Sequence, residues 1–332
     1  MLPTTWYLLG QSKSLAPKGV RRVAIAAAPW VLFRTVGGQA RVVIDHCAHR
    51  HVPLSAGQVC GEFIECRYHG WRYAGDGQLV AVPALGAGAV PDCKLEAMQV
   101  NEAQGFIWAT RLNTSTLPPK FVHFDEAGWT SFVMESTFPA SVEACLENFL
   151  DCPHATFVHR YWFRSPTASP VQAEVRHLPD GAEAEYFEEP RKRSLVWVLL
   201  SPRKGAMRHV DRFIAPATSR VSYEFPSGLT YVITSHCTPI DESNTSVTTV
   251  ISFKSGWGAW VKLFFAPLAR RILQQDIDML KLQAQNRGPQ GFPAAVSTRA
   301  DLLGPAIWSW RQAVKEGRMP APMEDKHVTI YL

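Results

Sequence analysis

The sequence predicts an α+β chain of two domains. Three observations carry this. From Trp6 to about Thr110, short β-rich runs alternate with Gly and Pro turns. From Arg111 to Phe124 the texture breaks into a stretch holding Pro118 and Pro119, which reads as an interdomain linker. Beyond Trp129 the strand-like runs collect into one block with helical segments before and after it, the order of an α+β domain rather than of alternating βα units. The domains are placed at residues 1–120 and 121–332.

In the first domain the strand runs are WYLLG, RRVAIAAAPWVLFRT, ARVVIDHCAH, FIECRYHGWRY and LEAMQVNEAQGFIWATR. Gly37-Gly38, Gly75-Asp76-Gly77 and Pro91-Asp92 separate them, so a small antiparallel barrel or sandwich is expected. The segment 79–93, LVAVPALGAGAVPDC, reads as an apolar, turn-rich loop. In the second domain Phe132 to Thr137 alternates as a strand. Ser141 to Asp151 is helical, with Glu143, Glu147 and Asp151 four apart. Seven strand-like runs between 171 and 253, among them SLVWVLL at 194–200, predict a long antiparallel sheet. Ala259 to Gln285 is helical again. A looser tail follows, holding TRADLLGPAIWSWRQAVKE and a final HVTIYL that suits an edge strand.

Composition narrows the class. With 46% hydrophobic and 19% charged residues, the 332-residue chain has the balance of a globular protein with two cores. A net charge of +5 without a Lys/Arg run gives no sign of nucleic-acid binding. The most apolar stretches, Leu195–Leu200 and Ala259–Ala269, are too short to span a membrane, and the second contains Lys262. The start, MLPTTWYLL, lacks the basic region of a secretory signal, so a cytoplasmic location is expected. Apart from Cys47 and Cys66, the cysteines Cys60, Cys93, Cys145, Cys152 and Cys237 form an odd set and read as buried small hydrophobes.

Two constellations carry chemistry. Cys47-x-His49 and Cys66-x-x-His69 each put one thiolate and one imidazole on a short loop, with Pro53, Gly57, Gly70, Gly75 and Gly77 supplying turns. Zinc is one reading. A Cys-His pair in each loop suits a 2Fe-2S cluster better, with both cysteines on one iron and both histidines on the other. The second constellation is EACLENFLDCPHATFVHRYWF, with Glu147, Asn148, Asp151, His154 and His159. Two imidazoles and a carboxylate form the triad that holds non-haem Fe(II) with positions open for dioxygen, and satisfied structural histidines are the other reading of this motif taken alone. His154 and His159, five apart, are about 140° apart on a regular helix, and Pro153 would have to break that helix for both to reach one metal. The carboxylate must come from elsewhere. In ARRILQQDIDMLKLQ, Asp276 shares a face with Ala269, Ile272, Leu273, Met279 and Leu280, whereas Asp278 falls opposite with Gln274, Lys281 and Gln285. A carboxylate on an apolar stripe needs a partner, which favours Asp276. His209, His236, Phe213 and Tyr231 read as sheet core, and Trp257, Trp260, Phe264 and Phe265 as aromatic core or a substrate wall.

The run from Cys47 to Tyr73, C-x-H, then R-H-x-P-L-S-x-G, then C-x-Y-H-G-W-x-Y, resembles the Rieske domain of the Rieske non-haem iron oxygenases. His46, Arg50, Pro53, Leu54, Gly57, Tyr68, Gly70, Trp71 and Tyr73 fall in place beside the four ligand positions. Respiratory Rieske proteins carry an extra cysteine in each loop; here those places hold Val52 and Tyr68, as suits a reducing compartment. The resemblance implies an N-terminal Rieske domain and a C-terminal catalytic domain whose curved antiparallel sheet is flanked by helices. It assigns Cys47, His49, Cys66 and His69 to the cluster, and His154, His159 and Asp276 to a mononuclear Fe(II). Asp151, grouped with Asn148 among the catalytic residues, would join His69 of one chain to His154 of the next in a homotrimer. The implied enzyme is a terminal oxygenase fed from NAD(P)H through a flavin reductase, with or without a ferredoxin, and Arg50, His51, Arg67 and Arg72 form either a solvated rim or a docking face for that donor. The compact length suits the monooxygenase and demethylase branch, acting with O2 on a small, largely apolar aromatic or alicyclic molecule. Ring cis-dihydroxylation, sterol- or pigment-type oxidation, and a Rieske electron-transfer protein without oxygenase activity are the alternatives.

Overall fold

The computed structural model describes residues 5–111, 116–160, 169–189, 207–254, 260–286 and 295–332. The chain divides into two compact units: 1–120 with 238–242, and 121–237 with 243–332.

The first unit holds two antiparallel sheets. Strands β1 (Tyr7–Gln11), β2 (Val20–Ile25), β3 (Ala28–Arg34), β4 (Ala40–Ile44), β9 (Ala97–Ala103) and β10 (Phe106–Thr110) form a six-stranded sheet in the order β1-β10-β9-β4-β3-β2. Strands β5 (Gln58–Cys60), β6 (Phe63–Glu65), β7 (Arg72–Tyr73) and β8 (Leu79–Ala81) form a four-stranded one in sequence order. In β3 four successive residues, Trp30 to Phe33, are fully buried, so both faces of that strand are covered. The run RRVAIAAAPWVLFRT is a hairpin rather than one strand. Ile25 pairs with Ala28, and the turn residues Ala26 and Ala27 have φ of 49° and 68°. Hairpin turns of this shape normally take Asn or Gly, so a pair of alanines carried no turn signal. The segment 79–93 likewise contains β8 and a short 3-10 turn at Pro83–Leu85.

The second unit is built on an eight-stranded antiparallel sheet. Its strands are β11 (Thr130–Phe138), β12 (Pro170–Leu178), β13 (Gly181–Glu189), β14 (Met207–Ile214), β15 (Thr218–Glu224), β16 (Thr230–Pro239), β17 (Thr245–Lys254) and β18 (Lys326–Tyr331), ordered β11-β17-β16-β15-β14-β13-β12-β18. β18 is the edge strand expected of HVTIYL; the run SLVWVLL lies outside the described residues. Helix α1 (Val142–Leu150) starts at Ser141, whose hydroxyl accepts the Ala144 N–H, and buries Val142, Cys145, Leu146 and Leu150 along one stripe. A four-residue turn, α2 (His154–Phe157), follows, and then the long α3 (Trp260–Gln285). The tail read as loose contains a further helix, α4 (Gly304–Lys315). Pro305 lies in its first turn, where a missing N–H costs nothing. Among the described residues no helix is long and apolar enough to cross a membrane.

Helices α1 and α4 are locked by charge. Arg311, almost fully buried, donates to Glu143 at 3.1 Å, and Lys315 lies 2.8 Å from the same carboxylate oxygen. Burial raises the Glu143 carboxyl, but the Arg311 charge and the hydrogen bonds from both bases outweigh it and hold the group down at about 2. A folded pKa below the unfolded one contributes stability above about pH 4.5 that is lost as the pH falls toward 2, worth on the order of 3 kcal/mol. Glu143→Gln is expected to cost about 3 kcal/mol at pH 7 by leaving Arg311 buried without a counter-charge. Urea unfolding followed by circular dichroism should show this, together with a flatter pH dependence of the midpoint below pH 4.5 in the variant.

Candidate metal centres and the cavity beside them

The two Cys-His loops hang from neighbouring elements of the first unit. Cys47 follows β4, and its loop is closed by the Cys47 N–H donating to Val52 O and the His51 N–H to Cys47 O. Cys66 and His69 lie between β6 and β7, closed by the Cys66 N–H to Trp71 O and the Gly70 N–H to Cys66 O. Gly57 permits the close approach of these strands: a Cβ there would stand 2.0 Å from the Glu65 carbonyl oxygen. Both thiols are buried and lie against each other, and burial pushes the Cys66 thiol up, with the Cys47 contact adding to it. Tyr73 lies 3.2 Å from Cys47 Sγ through its hydroxyl, which also accepts the Ala48 N–H. The imidazoles form the other pair, with His49 and His69 ring centroids 4.6 Å apart and His49 stacked flat on Trp71.

The donors therefore come as a thiol pair and an imidazole pair. They are not among the sets of described residues whose ligand atoms all lie within 4.8 Å of one another. A single zinc ion with bonds of about 2.0–2.3 Å needs four donors that close on one point. A two-iron cluster takes its donors as two pairs, one on each iron, and the paired donor set fits it.

In the second unit His154, His159 and Asp276 do close on one point. Their nearest atoms are His159 Nε2 to Asp276 Oδ1 at 3.0 Å, His154 Nε2 to His159 Nε2 at 3.2 Å, and His154 Nε2 to Asp276 Oδ1 at 3.5 Å. Three donors about 2.1 Å from one ion and at right angles would stand about 3.0 Å apart. Pro153 does what the five-residue spacing requires: α1 stops at Leu150, His154 opens α2, and His159 lies past its end. Each imidazole is held from behind, His154 Nδ1 by the Asp151 carbonyl and His159 Nδ1 by Gln275 Oε1 at 3.0 Å, which leaves both Nε2 atoms facing inward. Asp276 Oδ1 is buried with no oriented hydrogen-bond donor, an orphan that a cation would satisfy. Burial opposes charge on both His154 and Asp276, yet their mutual attraction prevails: His154 is raised, with help from Asp151, and Asp276 is lowered, with help from His159. The residues fit a mononuclear divalent metal.

The triad lines a cavity of about 140 Å³, partly open, between α1, α2, α3 and the sheet. Its walls are apolar, including Phe149, Val221, Phe225, Ile233 and Ile251, with Ser219, Ser235 and Thr249 as polar exceptions.

Two domain families match the chain: the Rieske [2Fe-2S] domain over residues 5–100, and the vanillate O-demethylase oxygenase C-terminal domain over 138–316, more than half of the chain. The chain belongs to the Rieske oxygenases. Chlorophyllide a oxygenase of Chlamydomonas reinhardtii is 33% identical over 164 residues, 48% of this chain and 24% of that one. Methylxanthine N1-demethylase NdmA of Pseudomonas putida is 33% identical over 129 residues, 37% of this chain and 36% of its own. Dicamba monooxygenase bound to 3,6-dichlorosalicylic acid shares the fold at TM-score 0.81 and 18% identity, over 95% of this chain and 98% of that one. The chain spans well under two thirds of the length of the two curated relatives. A Rieske oxygenase carries a Rieske cluster and a mononuclear iron, the two groups these donor sets fit.

The remaining sequence candidates fall around the oxygenase centre without entering it. Asp151 caps α1 with its carboxylate 3.9 Å from His154 Nδ1, and Asn148 lies one turn earlier on α1 with a buried Oδ1 that has no partner among the described residues. Asp278 pairs with Gln274 on the exposed side of α3. Trp260 is 70% exposed and Phe265 buried; Trp257 and the Phe264 side chain lie outside the described residues. Cys60 and Cys93 are half-exposed rather than buried. A second trio, Cys152, His209 and Asp211, was not legible, since Cys152 lies 57 residues before His209 and away from β14, which carries the other two.

Tyr73→Phe removes the hydroxyl beside Cys47 Sγ. The reduced cluster is the stronger hydrogen-bond acceptor, so its midpoint potential is expected to fall by on the order of 50 mV, with iron and sulfide content unchanged. Redox titration followed by EPR measures this.

Proposed function

We propose that the chain is the terminal oxygenase of a short electron-transfer system, which hydroxylates or oxidatively demethylates a small, largely apolar aromatic or alicyclic substrate with O2. The observation that carries this reading is the convergence of His154, His159 and Asp276 at the wall of an apolar cavity. When bound, the cluster supplies single electrons and the ferrous ion activates dioxygen against the substrate. In this reading Cys47, His49, Cys66 and His69 hold the cluster, and His154, His159 and Asp276 hold the iron. The rest of the work belongs to side chains that position. Asp151 and Gln275 fix the two imidazoles through Nδ1. The sheet and α3 line the reacting volume with mainly apolar side chains.

The electron donor is a flavin reductase or ferredoxin fed from NAD(P)H, and the assembly is a homotrimer in which Asp151 joins His154 to His69 of a neighbouring chain. Support for the bridge is the position of Asp151: half-exposed at the end of α1, with its carboxylate turned toward a triad histidine. A small ring suits the cavity, since a void of about 150 Å³ holds a single benzene ring.

Anaerobically purified protein should contain about three irons and two acid-labile sulfides per chain and give a Rieske EPR signal on reduction. Asp276→Ala should lower the iron to about two with the sulfide and the signal retained. Two irons in the parent protein, unchanged after Fe(II) reconstitution, would leave an electron-transfer protein instead. Asp151→Asn should keep all the iron and lose turnover by about 100-fold; wild-type turnover in that variant would remove the bridge.

A further inference from the structure

Resting on the reading of the cavity as the substrate site, we propose that its substrate is an uncharged single-ring molecule whose hydroxyl or carbonyl group hydrogen-bonds a stripe formed by Ser219, Ser235 and Thr249. The stripe is set by strand register. Ser219 of β15 pairs with Ser235 of β16, and the Ser235 and Thr249 hydroxyls are 2.8 Å apart, joining β16 to β17. Two residues along each strand, about 7 Å away, the same face carries an aliphatic band of Val221, Ile233 and Ile251. The cavity floor therefore has a polar end and an apolar middle.

The hydroxyls are placed to receive a ligand. All three residues are at least 96% buried, so bulk water does not serve them. The Ser235–Thr249 pair uses one O–H internally and keeps the other, together with free lone pairs. Ser219 lines the cavity without a side-chain hydrogen bond among the described residues. A hydroxyl or carbonyl oxygen seated there exchanges its water for protein partners, whereas a bare hydrocarbon leaves those partners unmet.

Charge sets the other limit. Among the described residues lining the cavity there is no Lys or Arg. A carboxylate entering this space loses its hydration without gaining a cationic side chain, and the metal held by the triad is the one counter-charge left to it.

The test is binding to the holoenzyme under argon at pH 8, by calorimetry, with phenol, toluene and benzoate as probes. Phenol is expected to bind about tenfold tighter than toluene, and benzoate at least about 100-fold weaker than phenol. Ser235→Ala/Thr249→Val should reduce the phenol–toluene ratio to less than about twofold, with phenol weakened and toluene bound at least as tightly as before. Should the double variant not fold, Ser219→Ala serves in its place, with a smaller loss of the ratio, and the three probes on the parent protein stand by themselves. Absence of phenol binding, benzoate binding within threefold of phenol, or a phenol–toluene ratio untouched by these changes would overturn the proposal. The two readings fail separately. Oxygen uptake coupled only to carboxylate-bearing rings would refute the neutral-substrate inference and leave the oxygenase standing; the expected probe ranking in a protein that takes up no third iron would do the reverse.

Discussion

Everything in the second unit is arranged around one buried carboxylate. Asp276 sits on the covered face of α3, where an unpaired charge would be expelled or protonated. Two imidazoles meet it instead, and neither hydrogen-bonding nor burial alone accounts for their arrangement. Both Nε2 atoms lie within 3.5 Å of the same carboxylate oxygen and 3.2 Å from each other. A divalent cation among them would satisfy all three lone pairs at once. The interruption between α1 and α2, the Gln275 contact and the position of α3 over the sheet are each conditions for that meeting.

The sheet supplies the second constraint. Because side chains alternate at every residue, a cavity floor reads every second position of each strand. Rows of paired positions then run across the sheet: Ser219 with Ser235, Val221 with Ile233, Tyr223 with Tyr231. What the cavity offers a ligand is thus a set of parallel bands whose spacing is the strand rise, and a one-residue slip would replace all of them together.

Much of this was legible in the sequence, for physical reasons. The Cys-His loops are local motifs, so ligand, turn residue and spacing lie within one stretch of chain. Asp276 was legible because a carboxylate on an apolar helical stripe violates binary patterning. The Ala26-Ala27 turn was not, since alanine carries no preference for positive φ and the pairing of β2 with β3 imposes it. Helix α4 was hidden behind Gly304 and Pro305, residues that start a helix as readily as they break one. The hydroxyl stripe depends on which strand neighbours which, information that lies in no single segment.

Cys152, His209 and Asp211 show why proximity of donors is insufficient to define a metal site. They meet the same distance criterion as the oxygenase triad. Their polar atoms, however, are already spent on one another: His209 Nε2 lies 2.9 Å from Asp211 Oδ1, and the Tyr186 hydroxyl donates to Asp211 Oδ2 at 3.0 Å. The His209 ring is clamped between Tyr186 and Tyr223, each 4.4 Å away and nearly parallel, so it cannot rotate toward a new ligand. A cation there would have to break a closed network. In the oxygenase triad the outer nitrogens are anchored and the inner ones oppose each other, so a cation completes the network. The difference lies in which atoms remain unsatisfied, and it separates a site built to hold a metal from one built to hold a fold. Through Cys152, whose Sγ lies 4.0 Å from His209 Nδ1, the closed network reaches the turn that carries His154, and its rigidity becomes part of how the open site keeps its shape.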